Sequence, residues 1–462
     1  MLAIADSVTS SDIEPYADKQ VADKLLAELP EPGIIVAENT IESIDAVDLK
    51  LSNGARMILM PTTLKNDEVL LSAFSMGGHS VYPDADHFTA MNADGIVQES
   101  GVDGFSVSDI SKVLAGKSVY VAPTISYNNE IMTGQSKTTD IESMFQLMYL
   151  YFTDPRVDQS AFDSYVTKKK DLFENLAKEP QNYFFDKYYR IKAQNNPRGD
   201  YLPVAKDWES LNFERAIQIY RDRFEDAGNF TFIMVGSFDV ETVKPWVEQY
   251  IASLPTVDRK ESYVDLMIRP PYNKTVKEVY KGNDPKSLAL LYFEKEIPYD
   301  EYNAFMISAL NDVLRMKYID ILREEMSGVY TVRASAKLEK IPYEHAWLQI
   351  MIPCAPENVD SLIGTAIGEL AKIQKEGVDD VNINKVRETR RRALETNKQK
   401  NSYWLGAIQE ALMLGTGLDD LTEEQYIDLI TSEELQRVAN KYFDIDRYLR
   451  VVLYPEKDQA AE

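Results

Sequence analysis

The order of secondary-structure signals runs through once, stops, and starts again, and few folds accommodate that. From Val47 the chain reads strand, Asn53-Gly54 turn, strand, the residue pair that a tight hairpin turn with positive φ favours. A third strand over 69–75 closes on Gly77-Gly78. Helical periodicity follows over 87–99 and 107–114, then strands over 119–128 and 130–136. Helices are predicted over 141–152, 159–177, 213–224 and 240–252, with a buried strand over 229–236. A polar run after Leu254-Pro255 marks a boundary, and the order restarts: strands over 275–280 and 286–293, a long helix, a strand, a hairpin over 339–345 and another strand. Helices over 359–374, 382–398, 402–414 and 433–442 and a strand over 448–454 complete it. Two units of about two hundred residues in matching order imply a duplication. The expected fold class is therefore α+β, with two similar domains, each a mainly antiparallel sheet with helices packed on one side. The expected boundaries are a connector over 1–45, a first domain over 46–257 and a second over 258–462. A short amphipathic helix over 21–29 lies within that connector, and a chain opening on a connector is expected to be a piece of something longer.

Composition excludes several functions. The net charge of −25 would repel nucleic acid and anionic membrane alike. No apolar run approaches the ~18 residues of a membrane span. Cys354 is the single cysteine, so neither an intrachain disulfide nor a cysteine zinc cluster is available; in the apolar run Leu348–Cys354 it reads as a small buried hydrophobe. The amino terminus has no charged region followed by an apolar core, so it is not expected to be a signal peptide. No nucleotide-binding glycine pattern follows a strand, and no Gly-x-Ser-x-Gly elbow is present. The basic run Lys385-Val-Arg-Glu-Thr-Arg-Arg-Arg interleaves glutamate and reads as a solvated helix face with ion pairs.

The stretch that points to chemistry is Asp320 to Ala336. Phe305, Ile307, Leu310, Val313, Leu314, Tyr318 and Ile321 recur at helical spacing, and Gly328 is suited to end the helix. From Val329 the period is two, placing Tyr330, Val332, Ala334 and Ala336 on one strand face. Arg323 and Tyr330 would converge at that corner, and a guanidinium beside a phenol is suited to hold an oxyanion. An arginine in a last helical turn is also favoured by the helix dipole alone, and tyrosine is ordinary in strands.

Leu322-Arg-Glu-Glu-Met-Ser-Gly-Val-Tyr330 resembles the Leu-Arg-Glu-x-x-Gly-x-x-Tyr corner in the C-terminal half of the pitrilysin/insulysin family of zinc metallopeptidases. Leu51-Ser-Asn-Gly54, the strand ending in Gly77-Gly78, Asn229-Phe-Thr-Phe-Ile-Met-Val-Gly-Ser-Phe-Asp239 with Ser253-Leu-Pro255, and Asn401-Ser-Tyr-Trp404 are similar to phrases of that family, so the likeness spans about Val47 to Tyr454. The resemblance implies the LuxS/mitochondrial-processing-peptidase-like fold, with Arg323 and Tyr330 binding the scissile carbonyl. It implies a C-terminal half that is inactive alone and closes on peptides against a partner half, in the same polypeptide or separate, that carries His-x-x-Glu-His and the zinc. In this chain the motif's slot falls at about Asn92-Ala-Asp-Gly-Ile96, so no cofactor is expected here, and Asp94 and Glu99 are expected to have no role. His79, His87 and His345 lack ligand spacing and read as surface or satisfied polar residues. The alternative is a non-catalytic scaffold or partner-binding subunit of the same fold. Bacterial periplasm or another exported location is implied by the resemblance, with the cytoplasm as the alternative.

Overall fold

The computed structural model describes residues 24–324 and 332–456, with side chains through Ile321 and from Val332. Strands β1 (Ile35–Ile41), β2 (Ala46–Leu51), β3 (Arg56–Pro61), β4 (Val69–Met76), β5 (Val119–Ile125), β6 (Asn129–Ser136) and β7 (Thr231–Gly236) form one sheet in the order β1-β2-β3-β7-β4-β6-β5. Strands β8 (Thr275–Tyr280), β9 (Ser287–Glu296), β10 (Arg333–Glu339), β11 (His345–Cys354) and β12 (Leu449–Tyr454) form a second, in the order β10-β11-β9-β12-β8. Each sheet is antiparallel apart from one parallel pair, β3 with β7 and β12 with β8. Residues 35–41 fall in the expected connector; they instead form β1, an edge strand paired with β2, and residues 24–29, in the span expected to be a short helix, form bends.

The principal helices are α1 (Ala93–Ser100), α2 (Ile141–Thr153), α3 (Gln159–Leu176), α4 (Pro180–Lys192), α5 (Phe213–Phe224), α6 (Glu301–Glu324), α7 (Val359–Glu376), α8 (Asp380–Asn397), α9 (Asn401–Leu414) and α10 (Ser432–Tyr442). Strand side chains alternate between faces, and the central strands of both sheets are buried on both faces. In the first sheet Met57, Leu59, Leu71, Phe232 and Met234 pack under α1, α2 and α5. In the second, Leu291, Phe293, Leu348, Ile350 and Val452 pack under α6, α7 and α10.

The opposite faces are covered by exchange. Ile58, Met60, Phe74, Ile233 and Val235 of the first sheet pack against Ile408 and Ala411 of α9, which lies late in the chain. Leu288, Leu290, Tyr292 and Val451 of the second sheet pack against Phe184 and Tyr188 of α4, which lies early. Polar contacts fix both crossings. Ser72 Oγ donates to Gln409 Oε1 at 2.8 Å, Thr62 Oγ1 to Asn401 Oδ1 at 2.6 Å, and Tyr188 Oη to Gln349 Oε1 at 3.1 Å.

The basic run on α8 is paired as its interleaved charges imply, Arg390 with Asp312 at 2.7 Å and Arg392 with Glu388 at 2.9 Å. Cys354 is buried, and burial pushes its thiol up to about 11.

Candidate functional site

Arg323 falls in the last turn of α6, but its side chain lies outside the described residues, as do Tyr330, Gly328 and the start of the strand from Val329. Around the gap, α6 packs against β10, and Val332, Ala334, Ala336 and Leu338 turn one buried face toward the second sheet's core.

The slot for a metal motif is described throughout, and its residues do not fit zinc. The helical region read over 87–99 is two pieces, a short turn over His87–Ala90 and α1. Asn92 stands where the first imidazole would be, Gly95 where the glutamate would be and Ile96 where the second imidazole would be. The Asn92 side chain donates to the Phe88 carbonyl at 2.8 Å and accepts from Tyr165 Oη at 2.8 Å, so its amide is already satisfied on both sides. Ile96 is fully buried in the core. A Cβ on Gly95 would lie 2.7 Å from Tyr165 Oη and 3.0 Å from Cε2. The Tyr165 ring, brought in by α3, therefore occupies the space beside the helix, and Gly95 is what admits it. Among the described residues no three His, Cys, Asp or Glu side chains are grouped to hold a metal ion.

Gly95→Ala should lower stability by about 1–3 kcal/mol through overpacking, although alanine is the better helix former. In a Tyr165→Leu background the same change should become stabilising. Urea denaturation of the four proteins measures it; an equal penalty in both backgrounds would show that the Tyr165 ring is not the cause.

His79 and His87 depart from the expectation of surface or satisfied residues. Both are buried with ring centroids 5.3 Å apart, and neither Nδ1 has a hydrogen-bond partner. Burial, then the neighbouring imidazole and Arg198, hold His79 down to about 3; burial and Arg198 hold His87 down to about 4. At neutral pH both rings are uncharged and act as packing. His345 is also buried, stacked on Tyr343 at 4.0 Å, with Nδ1 placed 2.8 Å from the Tyr343 carbonyl oxygen.

A cavity of about 570 Å³ opens beside the vacated slot, between α1, α3, α4 and the segment 200–208. Asp94 is among its lining residues. It accepts from the Ile125 backbone N–H at 3.2 Å, and burial pushes it up to about 6 against the opposing effect of that hydrogen bond and of Lys169. The raised pKa means the folded chain binds the proton more tightly than the unfolded chain. Its contribution to stability is therefore complete below pH ~4 and lost as pH rises through about 6. Asp94→Asn should accordingly stabilise the chain by on the order of 1–2 kcal/mol at pH 8 and leave it unchanged at pH 4. Melting temperatures of both proteins at the two pH values measure this; a gain of equal size at pH 4 contradicts it.

Comparison with known proteins shows what the chain is similar to. Residues 210–390 match the family model described as the Peptidase M16 inactive domain. The chain is 22% identical over 439 residues to the Probable zinc protease PqqL of Haemophilus influenzae, covering 91% of this chain and 46% of that protein. It is 25% identical over 426 residues to the Zinc protease PQQL-like of Arabidopsis thaliana, covering 86% of this chain and 40% of that one. It thus spans less than half the length of these relatives. The crystal structure of the periplasmic protease PqqL from Escherichia coli superposes with a TM-score of 0.83 at 20% identity, over 98% of this chain and 50% of that one. Two mixed sheets under helices, a motif slot without ligands and these matches agree: the chain has the fold of the PqqL structure, and residues 210–390 match the Peptidase M16 inactive domain.

Proposed function

We propose that the chain is the C-terminal, non-zinc half of an M16 zinc metalloendopeptidase, closing on peptides against a half that carries His-x-x-Glu-His. The observation that carries this is the rebuilt slot, in which Asn92, Gly95, Ile96 and Tyr165 leave no metal donors, in a chain that spans less than half the length of relatives named as zinc proteases. Hydrolysis then depends on the other half. What this chain supplies is a wall of the enclosure and, from Arg323 and Tyr330, N–H and O–H donors to the carbonyl oxygen as it becomes negative. In this reading the assembly works in the periplasm or another exported compartment, as the periplasmic PqqL does.

The test is reconstitution. The chain alone should cleave no peptide, and adding the His-x-x-Glu-His half encoded beside it should give cleavage that chelation abolishes. A catalytic half fully active without this chain would leave the scaffold reading in its place.

A further inference from the structure

We propose that the cavity beside α1 is a binding site for the cationic side chain of a peptide, arginine or lysine. Its volume, about 570 Å³, suits a group of that size. Seven aromatic residues line it, among them Phe88, Tyr165 and Phe173 of α3, and Trp208. They brace one another, Phe88 edge-on to Trp208 at 5.1 Å and Phe173 tilted against Trp208 at 5.4 Å. Rings held in fixed orientations around a cavity favour a cation over their faces.

The charged groups select the same ligand. Asp94 has backbone N–H donors but no side-chain cation within ion-pairing distance among the described residues. Lys169 also lines the cavity, yet its ammonium sits over the Tyr165 ring at 5.4 Å rather than on the carboxylate. Asp186, a further lining acid, is already held by Arg190 at 2.9 Å. Asp94 and Asp200 are therefore the lining carboxylates left for an incoming guanidinium or ammonium, and Asp94, the more buried of the two, would make a charge-assisted hydrogen bond to it. An uncharged apolar ligand would strip water from Asp94 and return nothing. An anion would meet Asp94, Asp200 and the negative balance of the whole chain. The indole N–H of Trp208 is buried without an acceptor, a donor that a peptide carbonyl can satisfy and a free amine cannot. The inference rests on this chain alone and does not need the catalytic half.

The experiment titrates the full chain with Nα-acetyl-arginine amide, Nα-acetyl-lysine amide and Nα-acetyl-norleucine amide, which keeps the lysine stem without its charge, followed by calorimetry. The expected result is saturable one-to-one binding of at least one charged probe with a Kd of about 1 mM or tighter, and binding of the norleucine probe roughly tenfold weaker or absent. Asp94→Asn should weaken the charged probe by about tenfold, and Phe173→Ala by a smaller factor. Asp94→Asn removes an unpaired charge, so the variant is expected to fold, and its circular dichroism verifies that. Binding of the norleucine probe as tight as the charged ones overturns the proposal, as does undiminished affinity in Asp94→Asn or no saturable binding by any probe.

Discussion

Arg223→Ala is expected to lower the chain's stability by about 3–5 kcal/mol, the usual result of stripping the cation from a buried cluster of charges. The Arg223 side chain, in the last turn of α5, is 1% exposed and meets Glu261 at 2.6 Å and Asp222 at 3.1 Å. Its Nε donates to Tyr82 Oη at 2.9 Å. Behind it, Glu130 of β6 is buried and accepts from the Gly78 N–H at 2.8 Å; burial pushes its carboxyl up to about 7 while Arg223 pulls the other way. Without the guanidinium, Glu130 loses its neighbouring cation and Glu261 keeps only Arg259, at 3.7 Å. The penalty should therefore be largest at pH 8 and shrink below pH ~7, where Glu130 takes up a proton more readily in the variant. Glu261 lies on the segment joining the two sheets, which is further tied by Arg259 to Asp222 at 2.6 Å and by Thr256 to Asp226 at 2.6 Å. Urea denaturation at pH 8 and pH 5.5 measures the effect. A penalty under about 1 kcal/mol, or one independent of pH, would mean that this cluster does not hold the joining segment. Arg223→Met separates causes, because restored stability in that variant would assign the loss to volume rather than charge.

How much of this was legible in the sequence depends on whether an element buries one face or two. Helices such as α5 show an apolar stripe with a charged reverse, and residues 213–224 were read to the residue. Helix α4 was passed over. Its Phe184 and Tyr188 bury against the second sheet, Tyr189 lines the cavity and Phe185 touches both, so aromatic residues spread around the helix and no single stripe stands out. Strand β1 failed for the opposite reason: Val36 to Thr40 are exposed on an edge, and neither face carries an apolar alternation. Helix α9 was read, but its destination was not, since nothing local in Ile408 or Gln409 names a sheet more than three hundred residues earlier. Gly77-Gly78 was legible as a turn and illegible as a clearance: a Cβ on Gly77 would lie 2.6 Å from Arg223 Nη1, and one on Gly78 would lie 2.3 Å from the Ser126 carbonyl oxygen. That His-x-x-Glu-His does not occur was plain from residue types, whereas the Tyr165 ring packed on Gly95 and the aromatic cavity beside it required α3 and α1 to be seen side by side. The histidine pair was missed because spacing in the chain says nothing about rings that meet across a turn.

In the reconstituted enzyme, Arg323→Ala and Tyr330→Phe should each lower kcat/KM by about 10²–10³, the size of effect seen when one donor to a developing oxyanion is removed. The loss should fall on kcat with KM little changed, because the carbonyl oxygen carries its full negative charge only in the transition state. Tyr330→Phe keeps the ring and removes only the O–H, so a large effect there isolates the hydrogen bond from packing. Arg323→Lys should fail to restore the rate, since a compact ammonium on a flexible stem cannot reproduce the planar fork of a guanidinium. The double variant should lose less than the product of the single losses, because two donors to one oxygen act as a unit. Zinc content of the catalytic half should be identical in every mixture, which separates a lost donor from a lost metal. Unchanged cleavage in both single variants would remove Arg323 and Tyr330 from the reaction and leave this half a structural role in the enclosure.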